Sequence, residues 1–143
     1  MNRIEIAESL FLSGCNCAQA VFVAFADEFG LDEELAKRVS CGLGGGVGRM
    51  REVCGAVTGA ALVLGMRLGP EKTAAYPAVQ EFCAKFKAET GSIVCRELLA
   101  NTGATTGGAP ETRTPSYYAK RPCVELVKLA AAILQTSSTP SKP

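Results

Sequence analysis

Apolar residues along this chain return every three or four positions, the spacing of one face of an α-helix. Ile4, Ile6, Ala7, Leu10 and Phe11 lay such a stripe over 3–13, and Gly14 follows where a glycine relieves the left-handed turn that ends a helix. Asn16 is a good N-cap, which predicts Cys17 as the first residue of a second helix running through Val21, Phe22, Ala24 and Phe25 to Gly30. Asp32 caps a third helix, with Leu35, Ala36 and Val39 on one face, that stops at a glycine-rich loop from Gly42 to Gly48. A central helix begins at Arg51 or Glu52 and ends near Leu68-Gly69-Pro70.

A fifth helix covers roughly 71–89, with Ala74, Val79, Phe82, Cys83 and Phe86 inward. Pro77 falls inside it and predicts a kink, or a start just before it. Ser92 caps a sixth helix carrying Ile93, Val94, Cys95, Leu98 and Leu99. Residues 101–121 form a loop whose length suits a covering role over a site. Pro122 opens a last helix with Val124, Val127, Ala131 and Leu134 inward. No run alternates with period two long enough to make a strand. The pattern predicts an all-α, single-domain bundle of about six or seven helices over 1–135, followed by a disordered tail over 136–143.

The 143 residues suffice for one domain with its own core. A net charge of +1 offers no electrostatic footprint for nucleic acid. Glu5 and Glu8 stand where a signal peptide would be apolar, and the central helix is too short and glycine-rich for a membrane span. The expectation is a soluble, cytoplasmic protein.

Two counts narrow the chemistry: seven cysteines and no histidine. In a reducing compartment, that many cysteines point to metal binding or redox work rather than structural disulfides. Without imidazole there is no Ser-His or Cys-His machinery, and a transition-metal site has to rest on thiolates. Cys17, Cys54, Cys95 and Cys123 all fall in the first turn of an expected helix. Unpaired N–H groups and the helix dipole stabilise negative charge there, by roughly 0.3–1 kcal/mol when exposed and up to ~2 kcal/mol when partly buried. This favours the thiolate, which is both nucleophile and metal ligand. Converging helix N-termini would gather the four into one pocket.

In Cys54-Gly55-Ala56-Val57-Thr58-Gly59 the small residues let another backbone approach closely. The loop Gly42-x-Gly44-Gly45-Gly46-x-Gly48 follows a helix rather than a strand and has no Walker lysine, so it fails as a nucleotide loop. It reads instead as a tight turn, or a nest of N–H groups near the sulfurs. Gly44, Gly45, Gly46, Gly48, Gly55 and Gly59 are therefore the residues expected to border a cofactor. Arg49 and Arg51 precede Cys54 and either raise its thiolate fraction, pair with an anionic cluster, or are surface charges beside a turn. Tyr117 and Tyr118 lid the site or anchor the loop locally.

The segments Gly14-Cys15-Asn16-Cys17-Ala18-Gln19-Ala20-Val21, Gly44-Gly45-Gly46-Val47-Gly48, Cys54 to Ala60 and Gly91-Ser92-Ile93-Val94-Cys95-Arg96-Glu97-Leu98, with a final Cys123, resemble one known pattern. It is that of the C_GCAxxG_C_C family of redox-active proteins, and the likeness runs over about 5–134. The resemblance implies that Cys17, Cys54, Cys95 and Cys123 are the family's four characteristic cysteines and that the role is redox. Cys15, Cys41 and Cys83 lie outside the pattern, though Cys15 could serve as an alternative ligand or resolving thiol.

Three readings stay open. In the first, Cys17, Cys54, Cys95 and Cys123 hold an iron–sulfur cluster for electron transfer or redox sensing. In the second, the protein is metal-free and some of these thiols pair reversibly as disulfides, with Cys54 as nucleophile because of its arginines and tight packing. In the third, the four hold a structural zinc ion or are inert. The expected partner is a redox protein or a small electron donor, with no nucleic acid and no membrane span. Assembly into a homo-oligomer stays open.

Overall fold

The computed structural model describes residues 2–137. Helix α1 (Arg3–Leu12) starts where the Asn2 side chain accepts the Glu5 amide at 2.9 Å. Asn16 heads α2 (Cys17–Ala24) with a full capping box: its Oδ1 accepts from the Gln19 amide at 2.8 Å, and Gln19 Oε1 accepts from the Asn16 amide at 2.9 Å. This helix ends earlier than its apolar pattern suggests. Arg3 donates to the Ala24 carbonyl at 2.8 Å, taking up an acceptor of the last turn, and 26–29 continue as a 3₁₀ turn closed by Gly30 in the left-handed region.

Asp32 caps α3 (Glu33–Cys41) as expected, accepting the Leu35 amide at 3.0 Å. The buried face of α3 is not the expected one. Ala36 and Ser40 face inward, while Leu35 and Val39 are about half exposed. Small residues allow a close approach to α2, and the bulkier ones turn outward.

Helix α4 (Gly55–Leu68) starts later than Arg51 or Glu52. Tertiary bonds claim the preceding residues first. The Cys95 amide donates to the Glu52 carbonyl at 2.6 Å and the Cys54 amide to the Ile93 carbonyl at 2.8 Å, around an isolated antiparallel bridge between Val53 and Val94. Helix α5 (Lys72–Thr90) contains Pro77 without ending there; Phe82 and Phe86 are buried, while Ala74 is exposed. A single turn, α6 (Cys95–Leu98), starts after Val94 rather than after Ser92. The expected loop 101–121 holds its own short helix, α7 (Pro115–Lys120), capped by Thr114. Pro122 caps α8 (Cys123–Thr136). Thr136, the first residue of the expected tail, closes this helix, and 138–143 lie outside the described residues.

The bundle is therefore all-helical, with no named strand among the described residues. Helix α2 is its axis and packs against α1, α3, α4 and α8; α1 also covers α8, and α5 lies on α4 and α8. The α2–α4 seam depends on missing side chains. A Cβ on Gly59 would stand 2.7 Å from the Ala18 carbonyl oxygen, and one on Gly55 would stand 3.0 Å from the Ala18 nitrogen. Phe11, Phe22, Phe25, Phe86 and Leu134 fill the core around this seam. No helix among the described residues is long and apolar enough to cross a membrane.

Candidate functional site

Four separate stretches of chain deliver the four pattern cysteines to one cavity. Cys17 opens α2, Cys95 opens α6 and Cys123 opens α8, while Cys54 stands one residue before α4, at its N-cap. All four line a cavity of about 60 Å3. By volume this holds a few water molecules. Cys54, Cys95 and Cys123 are buried and Cys17 is partly buried. The close α2–α4 seam seats Cys17 beside Cys54: a Cβ on Gly55 would lie 3.1 Å from the Cys17 Cβ. Gly46 does the same for Cys95, since its φ of +71° suits glycine and a Cβ there would stand 2.7 Å from the Cys95 Cβ.

The four sulfurs are not equivalent. The Cys17 thiol donates a hydrogen bond to the Cys123 sulfur. That bond lowers the Cys123 pKa below the ordinary thiol value; burial opposes the shift, and the guanidiniums of Arg121, Arg51 and Arg113 reinforce it. The same bond, then burial, holds the Cys17 pKa well above its ordinary value. Of the pair, Cys123 is thus the thiol whose proton is held less tightly and Cys17 the one whose proton is held more tightly. Cys54 behaves differently. Burial pushes its pKa up to about 12, although the Ala56 and Val57 amides donate to its sulfur. Cys95 Sγ accepts from Arg51 Nη1 at 3.7 Å.

The positive charges come largely from the 101–121 segment, which folds over the cavity. Arg113 reaches back to the carbonyls of Phe11 and Cys15, the latter at 2.6 Å, and lies 4.2 Å from the Phe11 ring centroid. Arg121 stacks on Tyr117 at 4.4 Å and donates through Nη2 to both oxygens of Glu111, at 2.7 and 2.6 Å. Glu111 also takes Arg49 at 3.1 Å and lies 3.5 Å from Arg51. The Arg121 hydrogen bond, helped by Arg49, holds the Glu111 pKa down to about 2. Tyr117 lines the cavity, while Tyr118 packs edge-on against Phe11.

The sequence-based expectations divide against this geometry. The four pattern cysteines do meet. Gly45, Gly46 and Gly55 line their cavity, and Gly44 and Gly48 line the groove outside it. Gly59 lines neither cavity and serves the seam with Ala18. The loop is not an open nest, because the amides of Gly48, Arg49, Arg51 and Glu52 donate to carbonyls within it. Arg49 and Arg51 do not activate Cys54. Arg49 bonds the Gly107 carbonyl, Thr105 and Glu111, and Arg51 faces Cys95. Sequence reasoning missed Arg113, Arg121 and Glu111; the signal available was a carboxylate followed by two arginines in the segment that leads to Cys123.

Of the remaining cysteines, Cys15 is buried, with its pKa raised by that burial, and its carbonyl accepts from Arg113. Cys41 is exposed on the outer groove. Cys83 sits on α5, away from the site, with its pKa raised by burial. Among the described residues no three Cys, Asp or Glu side chains are placed to hold a metal ion. All seven cysteines are free thiols.

Residues 15–137 match the family described as "Putative redox-active protein (C_GCAxxG_C_C)". No curated protein and no solved structure matches the chain. The match spans most of the sequence, and the chain belongs to this family.

Proposed function

We propose that this member of the redox-active family is a dithiol–disulfide protein in which Cys123 attacks and Cys17 resolves. The observation that carries the reading is that Cys17 and Cys123 line one cavity together with Arg51, Arg113 and Arg121, which with the Cys17 thiol lower the Cys123 pKa. The Cys123 thiolate attacks one sulfur of a substrate disulfide, forming a mixed disulfide and releasing the first substrate thiolate, which takes up a proton. Cys17 then loses its proton and attacks Cys123 Sγ. The Cys17–Cys123 disulfide forms, the second substrate thiolate leaves, and two electrons have passed to the substrate. The reverse sequence oxidises a dithiol.

The four sulfurs around one cavity favour a second reading, in which Cys17, Cys54, Cys95 and Cys123 rearrange around an iron–sulfur cluster.

One experiment separates the two. Protein purified without oxygen is assayed for iron and acid-labile sulfide, then treated with a small disulfide, and its cysteine pairing is mapped by peptide mass spectrometry. The expected result is a metal-free protein with a Cys17–Cys123 disulfide, and in Cys17→Ser a stable mixed disulfide on Cys123. Stoichiometric iron and sulfide, or pairing through Cys54, would overturn the dithiol reading.

A further inference from the structure

The groove outside the cysteine cavity is built from charge that the thiol pair alone does not require. It has a volume of about 320 Å3 and shares Arg51, Arg113, Arg121 and Tyr117 with the inner cavity. Arg49 also lines it, and Glu111 is its only carboxylate. Four guanidiniums against one carboxylate leave the groove positive. That carboxylate also shows what the wall takes, because Glu111 is held by Arg49 and Arg121 together.

The arginines differ in what they have left to offer. Arg49 is spent on Gly107, Thr105 and Glu111, and Arg113 on the carbonyls of Phe11 and Cys15. Arg51 is not spent. Its Nε donates to the Thr105 carbonyl and its Nη1 to Cys95, but its Nη2 has no hydrogen-bond partner, although the residue is only 5% exposed. Its ion-pair partner, Glu111 Oε1, is 3.5 Å away. A buried guanidinium nitrogen without an acceptor is costly, and an incoming oxyanion would remove that cost.

We infer that the substrate of the Cys17–Cys123 pair is a small disulfide bearing carboxylates, bound through Arg51 Nη2 with its sulfurs directed at the inner cavity. The inference rests on the dithiol reading above. The size of the groove suits a small molecule rather than a protein segment. Arg51 lines both the groove and the cavity that holds Cys123, so a carboxylate on Arg51 puts the substrate at the mouth of that cavity. The disulfide takes two electrons and leaves as two thiols, while Cys17 and Cys123 become the protein disulfide.

The test compares three symmetric disulfides: dianionic dithiodiglycolate, neutral bis(2-hydroxyethyl) disulfide and dicationic cystamine. Each rate is divided by the rate of the same reagent with a free cysteine peptide. At ~0.01 M ionic strength, dithiodiglycolate should lead cystamine by roughly tenfold or more, and the gap should close near 1 M salt. Glu111→Gln removes the resident carboxylate and should raise the ratio of the dithiodiglycolate rate to the neutral-reagent rate. Arg51→Lys keeps a positive charge but loses the fork, and should lower the ratio of the dithiodiglycolate rate to the neutral-reagent rate. Normalised rates that do not depend on charge, or a Glu111→Gln variant that slows all three reagents alike, would overturn the inference and leave the dithiol reading standing. No Cys17–Cys123 disulfide with any reagent would overturn both.

Discussion

Cys54 and Cys123 sit at the heads of two fourteen-residue helices, both buried, both facing the same cavity, yet they hold their protons in opposite ways. Cys54 receives what a helix N-terminus offers, amide hydrogen bonds from Ala56 and Val57, and its pKa still rises to about 12 because burial dominates. Cys123 is buried nearly as well, but the Cys17 thiol donates to it and Arg121, Arg51 and Arg113 surround it, and its pKa falls. A helix start is therefore not enough to make a thiolate in a dry site. The donated proton and the nearby cations decide. The surroundings differ in the same sense. The head of α4 is set by backbone packing on α2, and the head of α8 by the charged 101–121 segment.

The sharpest way to break this comparison is alkylation with iodoacetamide at neutral pH, after the exposed Cys41 has been replaced by Ser. Cys123→Ser should abolish rapid labelling of the cavity, and Cys54→Ser should leave it unchanged. If Cys54 carries the label, the assignment is reversed. Gly59→Val attacks the other helix head. The added side chain meets the Ala18 carbonyl and should cost about 1–3 kcal/mol in urea unfolding.

Arg121→Gln removes the cation that lowers the Cys123 pKa most and should slow its alkylation roughly three- to tenfold, with the inflection of the pH–rate profile moving up. The profile of Cys54 should not move. Acid probes the same wall from the other side. The Glu111 pKa is lowered from 4.5 to about 2, so its stabilisation is fully present above about pH 4.5 and is lost as the pH falls toward 2. Glu111→Gln should flatten that part of a stability–pH curve measured by thermal melts. Cys83→Ser should have the smallest effect, a change of about 0.5–1 kcal/mol in stability with no change in labelling of the cavity.

Much of this was legible along the chain because it depends on short-range chemistry. The Asn16 and Asp32 caps each act within three residues, and the Cys17 and Cys123 starts follow from Asn16 and Pro122 beside them. The α4 start was misread because its competitor is distant: the bonds from 93–95 that hold 52–54 extended are invisible in a local window. The charges expected around Cys54 were misread for the same reason. Arg51 is three residues from Cys54 in sequence, but its side chain turns to Cys95, while Cys123 receives its charges from Arg121, Arg51 and Arg113.

By itself, the sequence determined that this chain is helical, where most helices begin, that it carries seven cysteines and no histidine, and which family it belongs to. Periodicity, caps and the absence of histidine are properties of residues and their near neighbours. Only the tertiary structure decided which thiol's pKa is lowered and which are raised. That depends on burial and on charges within a few ångströms, and folding brings those charges together from positions as far apart as Arg51 and Arg121.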